Sequence, residues 1–152
     1  MTIPLSLYIH IPWCVKKCPY CDFNSHALQN VLPETMYLDA LVQDLKLDLH
    51  HVQNRKINTI FFGGGTPSLI SPAGFERLLD QVSQHVCFAD DIEITMEANP
   101  GTVEHFNFAD YKQAGINRIS LGAQSFEIIN YKHLEESTNQ MKHYAQLIRY
   151  IK

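Results

Sequence analysis

Three cysteines that lie close together are the part of this sequence best suited to chemistry. Cys14, Cys18 and Cys21 stand in a C-x3-C-x2-C spacing, directly after the apolar residues 7–11. Thiolates are the usual ligands of iron–sulfur clusters, and a 4Fe–4S cluster held by three of them keeps one iron with an open coordination position. The spacing therefore predicts such a cluster, with an open iron that can bind a further ligand.

Two other uses of these cysteines stay open. Zinc is one, with His10 or His26 as a fourth ligand, but structural zinc sites usually combine two separated ligand pairs, and the only other cysteine is Cys87. Disulfides are the other, although no secretory leader is recognisable and a tight triplet suits them poorly. We rank iron–sulfur above zinc and zinc above disulfides. We expect Cys87, which follows a predicted helix, to be a small buried residue.

Composition indicates a folded chain with a substantial core. The 152 residues carry a net charge of −4, with 45% hydrophobic and 11% aromatic residues, and one domain is the default at this length. No basic stripe points to a nucleic-acid partner. No apolar run approaches the ~20 residues needed to cross a bilayer. We therefore expect a cytoplasmic protein in a reducing compartment, which suits thiolate ligands.

Apolar stretches alternate with amphipathic ones along the chain. Four short apolar stretches are typical of buried strands, at residues 5–11, 57–62, 92–98 and 116–121. The segments between them predict helices over about 34–53, 72–82 and 102–114, the last two with Ser71 and Thr102 as N-caps. Alternating strands and helices imply parallel strands joined by right-handed crossovers.

Unusual residue types follow each predicted strand. The second strand leads into a Gly-Gly-Gly-Thr-Pro run at 63–67, the third carries Glu97 near its end, and the fourth leads into residues 122–126. In parallel α/β folds the functional residues gather at the carboxyl ends of the strands. The glycine run lacks the G-x-G-x-x-G spacing and follows the second strand. We therefore favour a barrel or half-barrel over a dinucleotide-binding fold.

Taken together, these motifs resemble the radical S-adenosylmethionine superfamily. More closely, they resemble the branch that contains oxygen-independent coproporphyrinogen III oxidase and the HemW-type haem chaperone. The resemblance extends over residues 4–126 and is carried by residues 8–14, 18–24, 61–67, 97–100 and 122–126. It implies an α/β fold, a partial (βα) radical-SAM barrel of four parallel strands with helices outside and the barrel not completed.

The resemblance also implies cofactors and their contacts. In that superfamily the three cysteines hold a 4Fe–4S cluster, whose open iron takes the amino and carboxylate groups of S-adenosylmethionine. One electron then cleaves the sulfonium and yields a 5′-deoxyadenosyl radical. The residues that match cofactor contacts are Tyr8, Tyr20, Gly64, Gly65, Thr66, Glu97 and Gln124. Ordinary packing is the alternative for the two tyrosines, and a plain turn for the glycines.

Phe23 separates the two branches. The oxidase branch carries an additional cysteine two residues after its third ligand, and this chain has Phe23 there. The resemblance thus favours a HemW-like protein of porphyrin and haem metabolism, with haem or porphyrin and an unidentified electron donor as partners. The alternatives are a true oxidase, a non-catalytic fragment that only binds the cluster, and a zinc-binding interaction module.

The family pattern stops within one loop. Residues 1–126 are expected to form the N-terminal part of a radical-SAM core domain. Residues 127–152 diverge, and Met141, Tyr144, Ile148 and Ile151 are spaced for one amphipathic helix. We expect a truncated product, with the hypothesis that this tail is translated out of frame.

Overall fold

Four parallel strands form the central sheet of the computed structural model, which describes residues 3–99 and 107–122. Among these four strands, those that follow one another along the chain also lie beside one another in the sheet. In chain order, the elements are β1 (Leu5–Ile11), β2 (Trp13–Cys14), β3 (His26–Ala27), α1 (Glu34–Val52), β4 (Ile57–Gly64), a 3-10 turn (Pro67–Leu69), α2 (Pro72–Ser83), β5 (Phe88–Ala98), α3 (Phe108–Gln113) and β6 (Arg118–Leu121). The predicted alternation and the α/β fold class are confirmed.

The start of α2 agrees with the sequence prediction, and the start of α3 differs from it. Ser71 caps α2 as predicted, since its side chain accepts a hydrogen bond from the Gly74 amide. The helix that ends at Gln113 begins at Phe108, so the prediction of Thr102 as its N-cap is wrong. Asn107 caps it instead, because its side chain and that of Asp110 satisfy free backbone amides reciprocally.

The two faces of the sheet differ in character. Side chains on one face, including Ile11, Ile60, Phe62 and Met96, are fully buried beneath the helices. The other face is largely polar, because alternate residues of each strand point away from the core. Its rows are set by the strand register: Ser6 beside Thr59 and Glu93, Tyr8 beside Phe61 and Thr95, and His10 beside Gly63. Glu97 lies on this second face, beside Ser120 of β6.

Cys87 is exposed, so the prediction of a buried position is wrong. Its neighbour Val86 occupies the core position, at 4% exposure. The backbone carbonyl of Cys87 accepts a hydrogen bond from the Ile57 amide at 2.8 Å, which fixes the start of β5 beside β4. The cysteine side chain therefore contributes nothing to the core. No described helix is both long enough and apolar enough to cross a membrane.

Tyr111 gives a first test of the core. Its fully buried hydroxyl donates to the carbonyl oxygens of Ser68 at 2.9 Å and Ile70 at 3.2 Å. Burial first, and then Glu34 and Asp110, raise the pKa of this hydroxyl above its usual value. We expect Tyr111→Phe to lower the free energy of unfolding by about 1 kcal/mol near neutral pH, measured by urea denaturation.

The same hydroxyl sets a pH dependence. Above about pH 10 the unfolded chain loses the tyrosine proton while the folded chain keeps it. The folded state then holds more protons, so its stability falls as the pH rises through that range. The Phe variant should lack this part of the alkaline loss. A variant that follows the parent curve at every pH would show that the Tyr111 hydroxyl contributes nothing.

Candidate metal and cofactor site

The cysteine loop is closed by two short strands. β2 pairs with β3 in parallel, and the His26 amide donates to the Pro12 carbonyl at 2.7 Å while the Leu28 amide donates to the Cys14 carbonyl at 2.8 Å. A turn inside the loop joins the Cys21 amide to the Cys18 carbonyl at 3.1 Å. The three cysteines are thus brought onto one closed loop, each partly exposed with a free thiol.

Lys17 holds the middle of this loop. Its ammonium group donates to the backbone carbonyls of Phe23 at 2.8 Å and Ser25 at 3.0 Å. These two bonds draw the segment after Cys21 back towards the segment before Cys18.

The glycine run lies directly against the start of the cysteine loop. The Gly65 amide donates to the Ile11 carbonyl and the Thr66 amide to the Trp13 carbonyl, both at 2.7 Å. A Cβ atom on Gly65 would lie 2.5 Å from the Trp13 carbonyl oxygen, so only glycine allows this approach. Thr66 is buried, and its hydroxyl accepts a hydrogen bond from Nδ2 of the Asn99 side chain at 3.4 Å. Gly65 and Thr66 therefore join the two loops.

Gly64, Glu97 and Tyr8 come together on the polar face. Gly64 has φ +112° and donates its amide to Oε2 of Glu97 at 3.3 Å. The Tyr8 ring stacks on Phe61 with centroids 6.3 Å apart and stays 57% exposed. Partial burial, and then the Glu97 carboxylate, raise the pKa of the Tyr8 hydroxyl. A carboxylate and a protonated phenol thus face the same open space.

Two further cofactor contacts were predicted, at Tyr20 and Gln124. Tyr20 stands in the cysteine loop between Cys18 and Cys21 and is 41% exposed. Gln124 lies outside the described residues. Binding of S-adenosylmethionine by the seven named residues stays a prediction.

His10 is the residue whose position the sequence reasoning did not anticipate. Its ring nitrogens lie 3.0 Å from the Tyr8 hydroxyl and 2.8 Å from the Asn24 carbonyl oxygen. The signal available in the sequence was its two-residue spacing from Tyr8 on one strand, which places both on the same face. With both nitrogens engaged, His10 is not arranged as a zinc ligand in this conformation.

The donor set has the ligand chemistry that an iron–sulfur cluster requires. Over residues 3–99 and 107–122, no group of three or more His, Cys, Asp and Glu side chains gathers around a point where one metal ion could be held. The thiolates of a cluster bind different iron atoms, so they do not need to converge on one point. Three free thiols on one closed loop, with no disulfide among the described cysteines, meet that requirement.

Comparison with known proteins agrees with this geometry. The family model described as "Radical SAM superfamily" matches residues 8–152. The protein named "Heme chaperone HemW" from Escherichia coli K12 is 58% identical over 131 residues, which are 86% of this chain and 35% of that protein. The protein of the same name from Haemophilus influenzae is 58% identical over 127 residues, 81% of this chain and 33% of that protein.

One solved structure has the same fold. It is described as "Coproporphyrinogen III oxidase (HemN) from Escherichia coli is a Radical SAM enzyme", and the likeness has a TM-score of 0.77 at 27% identity. It covers 93% of this chain and 35% of that one, so the chain spans about a third of the length of these relatives. The expected partial radical-SAM barrel is confirmed, and the chain belongs to the radical SAM superfamily.

Proposed function

We propose that this chain is the cluster-binding and S-adenosylmethionine-binding part of a HemW-type haem chaperone, acting in porphyrin and haem metabolism. The proposal is supported by the 58% identity to proteins named "Heme chaperone HemW". It is also supported by Phe23, which is 64% exposed beside the cysteine loop at the position where the oxidase branch carries a further cysteine. Haem or porphyrin is then a ligand of the whole protein.

The observation that carries the proposal is the direct contact between the two loops. The Thr66 amide on the Trp13 carbonyl fixes the glycine run immediately beside Cys14. Cys14, Cys18 and Cys21 would hold the 4Fe–4S cluster, and Tyr8, Tyr20, Gly64, Gly65, Thr66, Glu97 and Gln124 would surround S-adenosylmethionine. When bound and reduced by the electron donor, a cluster with an open iron would supply the ligation and the electron for cleavage of the sulfonium.

The residues of the chain then divide the work of binding. The Glu97 carboxylate offers a negative charge and two acceptor oxygens to a cationic ligand, and the Gly64 amide holds that carboxylate in place. Tyr8 offers its hydroxyl oxygen and an exposed ring face on the same side of the sheet. The exposed cysteine loop is where we expect the electron donor to approach, since electron transfer requires proximity to the cluster.

Oxygen-independent coproporphyrinogen III oxidase is the second candidate, and the structural likeness to that enzyme favours it. The two are separated by anaerobic turnover of coproporphyrinogen III and by haem binding measured from the absorption spectrum. Haem binding without turnover supports the chaperone. Turnover would support the oxidase instead.

Three further parts of the proposal follow from the sequence. Residues 1–126 form the N-terminal part of the core domain. The division at residue 126, with residues 127–152 as a divergent tail, stays a prediction, since the family model runs on to residue 152 and the tail lies outside the described residues. The protein acts in the cytoplasm without a nucleic-acid partner.

A non-catalytic fragment would bind the cluster but would not cleave S-adenosylmethionine. It is recognised by cluster content without 5′-deoxyadenosine, measured after anaerobic reconstitution with S-adenosylmethionine and a reductant.

Glu97 offers a sharper test of cofactor binding. We expect Glu97→Gln to weaken S-adenosylmethionine binding about tenfold while the iron content stays unchanged, because the charge is removed and the shape is kept. Titration calorimetry of the reconstituted protein measures the affinity. Glu93→Gln is the matched control, since Glu93 lies on the same strand and face but pairs with Arg118 at 3.4 Å. Equal affinities in all three proteins would remove Glu97 from the binding site.

A further inference from the structure

His10 bonds to two different parts of the candidate site. Its Nε2 atom lies 2.8 Å from the Asn24 carbonyl oxygen, three residues after Cys21. Its Nδ1 atom lies 3.0 Å from the hydroxyl of Tyr8, a residue of β1 whose side chain lies on the polar face of the sheet. One imidazole ring therefore connects the end of the cysteine loop to a predicted cofactor contact.

The partners determine which nitrogen carries the proton. A carbonyl oxygen only accepts, so Nε2 must donate to Asn24. In the neutral ring Nδ1 is then an acceptor, and the Tyr8 hydroxyl donates to it. A tyrosine hydroxyl carries its proton near neutral pH and can donate it. Burial and the Glu97 carboxylate raise the pKa of the Tyr8 hydroxyl further in the same direction. In the neutral ring the two bonds thus have fixed directions, and each constrains the other through the tautomer.

The ring is also confined by its surroundings. The Tyr37 hydroxyl of α1 donates to the backbone carbonyl of His10 at 2.7 Å, which anchors the residue from the core side. At Gly64 a Cβ atom would lie 2.5 Å from Cε1 and 2.6 Å from Nδ1 of the imidazole. The absence of a side chain at Gly64 is what makes room for the ring. The ring edge therefore meets the cysteine loop, the glycine run and Tyr8 at once.

We infer that His10 is a positioning residue that holds the end of the cysteine loop with one ring nitrogen and orients the Tyr8 hydroxyl with the other. The inference rests on the proposed function, since it concerns how firmly the loop keeps a cluster and how Tyr8 meets S-adenosylmethionine. It assigns His10 neither to a metal nor to a proton-transfer step. Because each bond uses a different ring nitrogen, a substitution can remove one bond and keep the other.

The test uses two variants, each able to replace one nitrogen. In His10→Gln the side-chain amide reaches the position of Nε2 and can still donate to the Asn24 carbonyl. In His10→Asn the shorter side chain reaches only the position of Nδ1, where its oxygen can still accept from Tyr8. Tyr8→Phe removes the second bond without touching the first. All are made in the full chain and reconstituted anaerobically, and circular dichroism checks that each is folded.

The rate of iron release and the affinity for S-adenosylmethionine are expected to respond in opposite ways in the two His10 variants. The rate of iron release to a ferrous chelator should stay near that of the parent in His10→Gln and Tyr8→Phe, and rise about tenfold in His10→Asn, as expected for one lost hydrogen bond. The change that S-adenosylmethionine causes in the electron paramagnetic resonance spectrum of the reduced cluster gives its affinity. That affinity should fall in His10→Gln and Tyr8→Phe, and be retained in His10→Asn measured directly after reconstitution.

Equal behaviour of the Gln and Asn variants in both readouts, whether both are intact or both impaired, would overturn the inference. It would mean that the ring only fills space between the strands and the loop. If the parent chain itself takes up no iron, the proposed function fails, and the inference fails with it. A parent that binds iron while the two variants match each other contradicts the inference alone.

Discussion

Replacing Cys18 by serine should reduce the iron content of the anaerobically reconstituted chain from about four atoms to nearly none. Cys18 is the central ligand of the loop, and its backbone carbonyl also accepts the bond from the Cys21 amide. Serine leaves that backbone turn intact. Its hydroxyl is a poor ligand for iron, because the cluster requires soft thiolate ligands. Iron analysis and the visible absorption of the cluster measure the outcome.

Cys87→Ser is the matched control for this substitution. Cys87 is exposed at the start of β5, and its side chain takes no part in the core. It should therefore keep the full iron content and colour of the parent. If Cys18→Ser bound as much iron as the parent, the cysteine loop would not be the site of the cluster. If Cys87→Ser lost its iron, a ligand outside the loop would be implicated.

The second large effect is expected at Gly65. A Cβ atom there would lie 2.5 Å from the carbonyl oxygen of Trp13 and 3.0 Å from that of Ile11, and both are backbone atoms that cannot rotate away. Gly65→Ala must therefore separate the glycine run from the cysteine loop and break the bonds between them. We expect the free energy of unfolding to fall by about 3 kcal/mol, combining overpacking and lost hydrogen bonds. Cluster retention should fall with it.

Gly115→Ala separates this effect from ordinary backbone strain. Gly115 has φ +103°, and a Cβ there would meet only the end of the Leu79 side chain, at 3.1 Å. It follows α3, outside the cysteine loop and the glycine run. The substitution should cost about 1–2 kcal/mol and leave the iron content unchanged. A Gly65→Ala protein with the thermal midpoint and the iron content of the parent would show that the contact between the loops is dispensable.

The central sheet was predictable because each strand is a short apolar run of its own. The strands at residues 5–11 and 57–62 needed no information from elsewhere in the chain. The start of β5 at Phe88 was not predicted, since Asp90 and Asp91 interrupt the apolar pattern. The register with β4 also shifts there, because Ile57 pairs with Phe88 and the next pair is Thr59 with Glu93. The start of α3 was also missed, because Asn107 and Asp110 form a capping box in the structure but are residue types equally typical of a loop.

The candidate metal ligands could be predicted from the sequence, but the hydrogen bonds that hold their loop in place could not. The cysteine spacing is local, so it can be read directly from the sequence. The partner of His10 is a backbone carbonyl fourteen residues away, and no side-chain pattern encodes such a bond. The glycine run was expected to approach a ligand closely. In the structure, the side on which a Cβ atom would stand at Gly64 and Gly65 is filled by His10 and by the Trp13 backbone. Contact of the glycine run with a ligand stays a prediction.

Metal and sulfide analysis of the anaerobically reconstituted chain, followed by paramagnetic resonance with and without S-adenosylmethionine, tests the cluster most directly. We expect about four iron atoms and four sulfides per chain, in line with a 4Fe–4S cluster. We also expect the spectrum of the reduced cluster to change when S-adenosylmethionine is added, because it binds at the open iron. A folded chain that contains zinc or no metal, or a cluster whose spectrum ignores S-adenosylmethionine, would contradict the assignment of Cys14, Cys18 and Cys21.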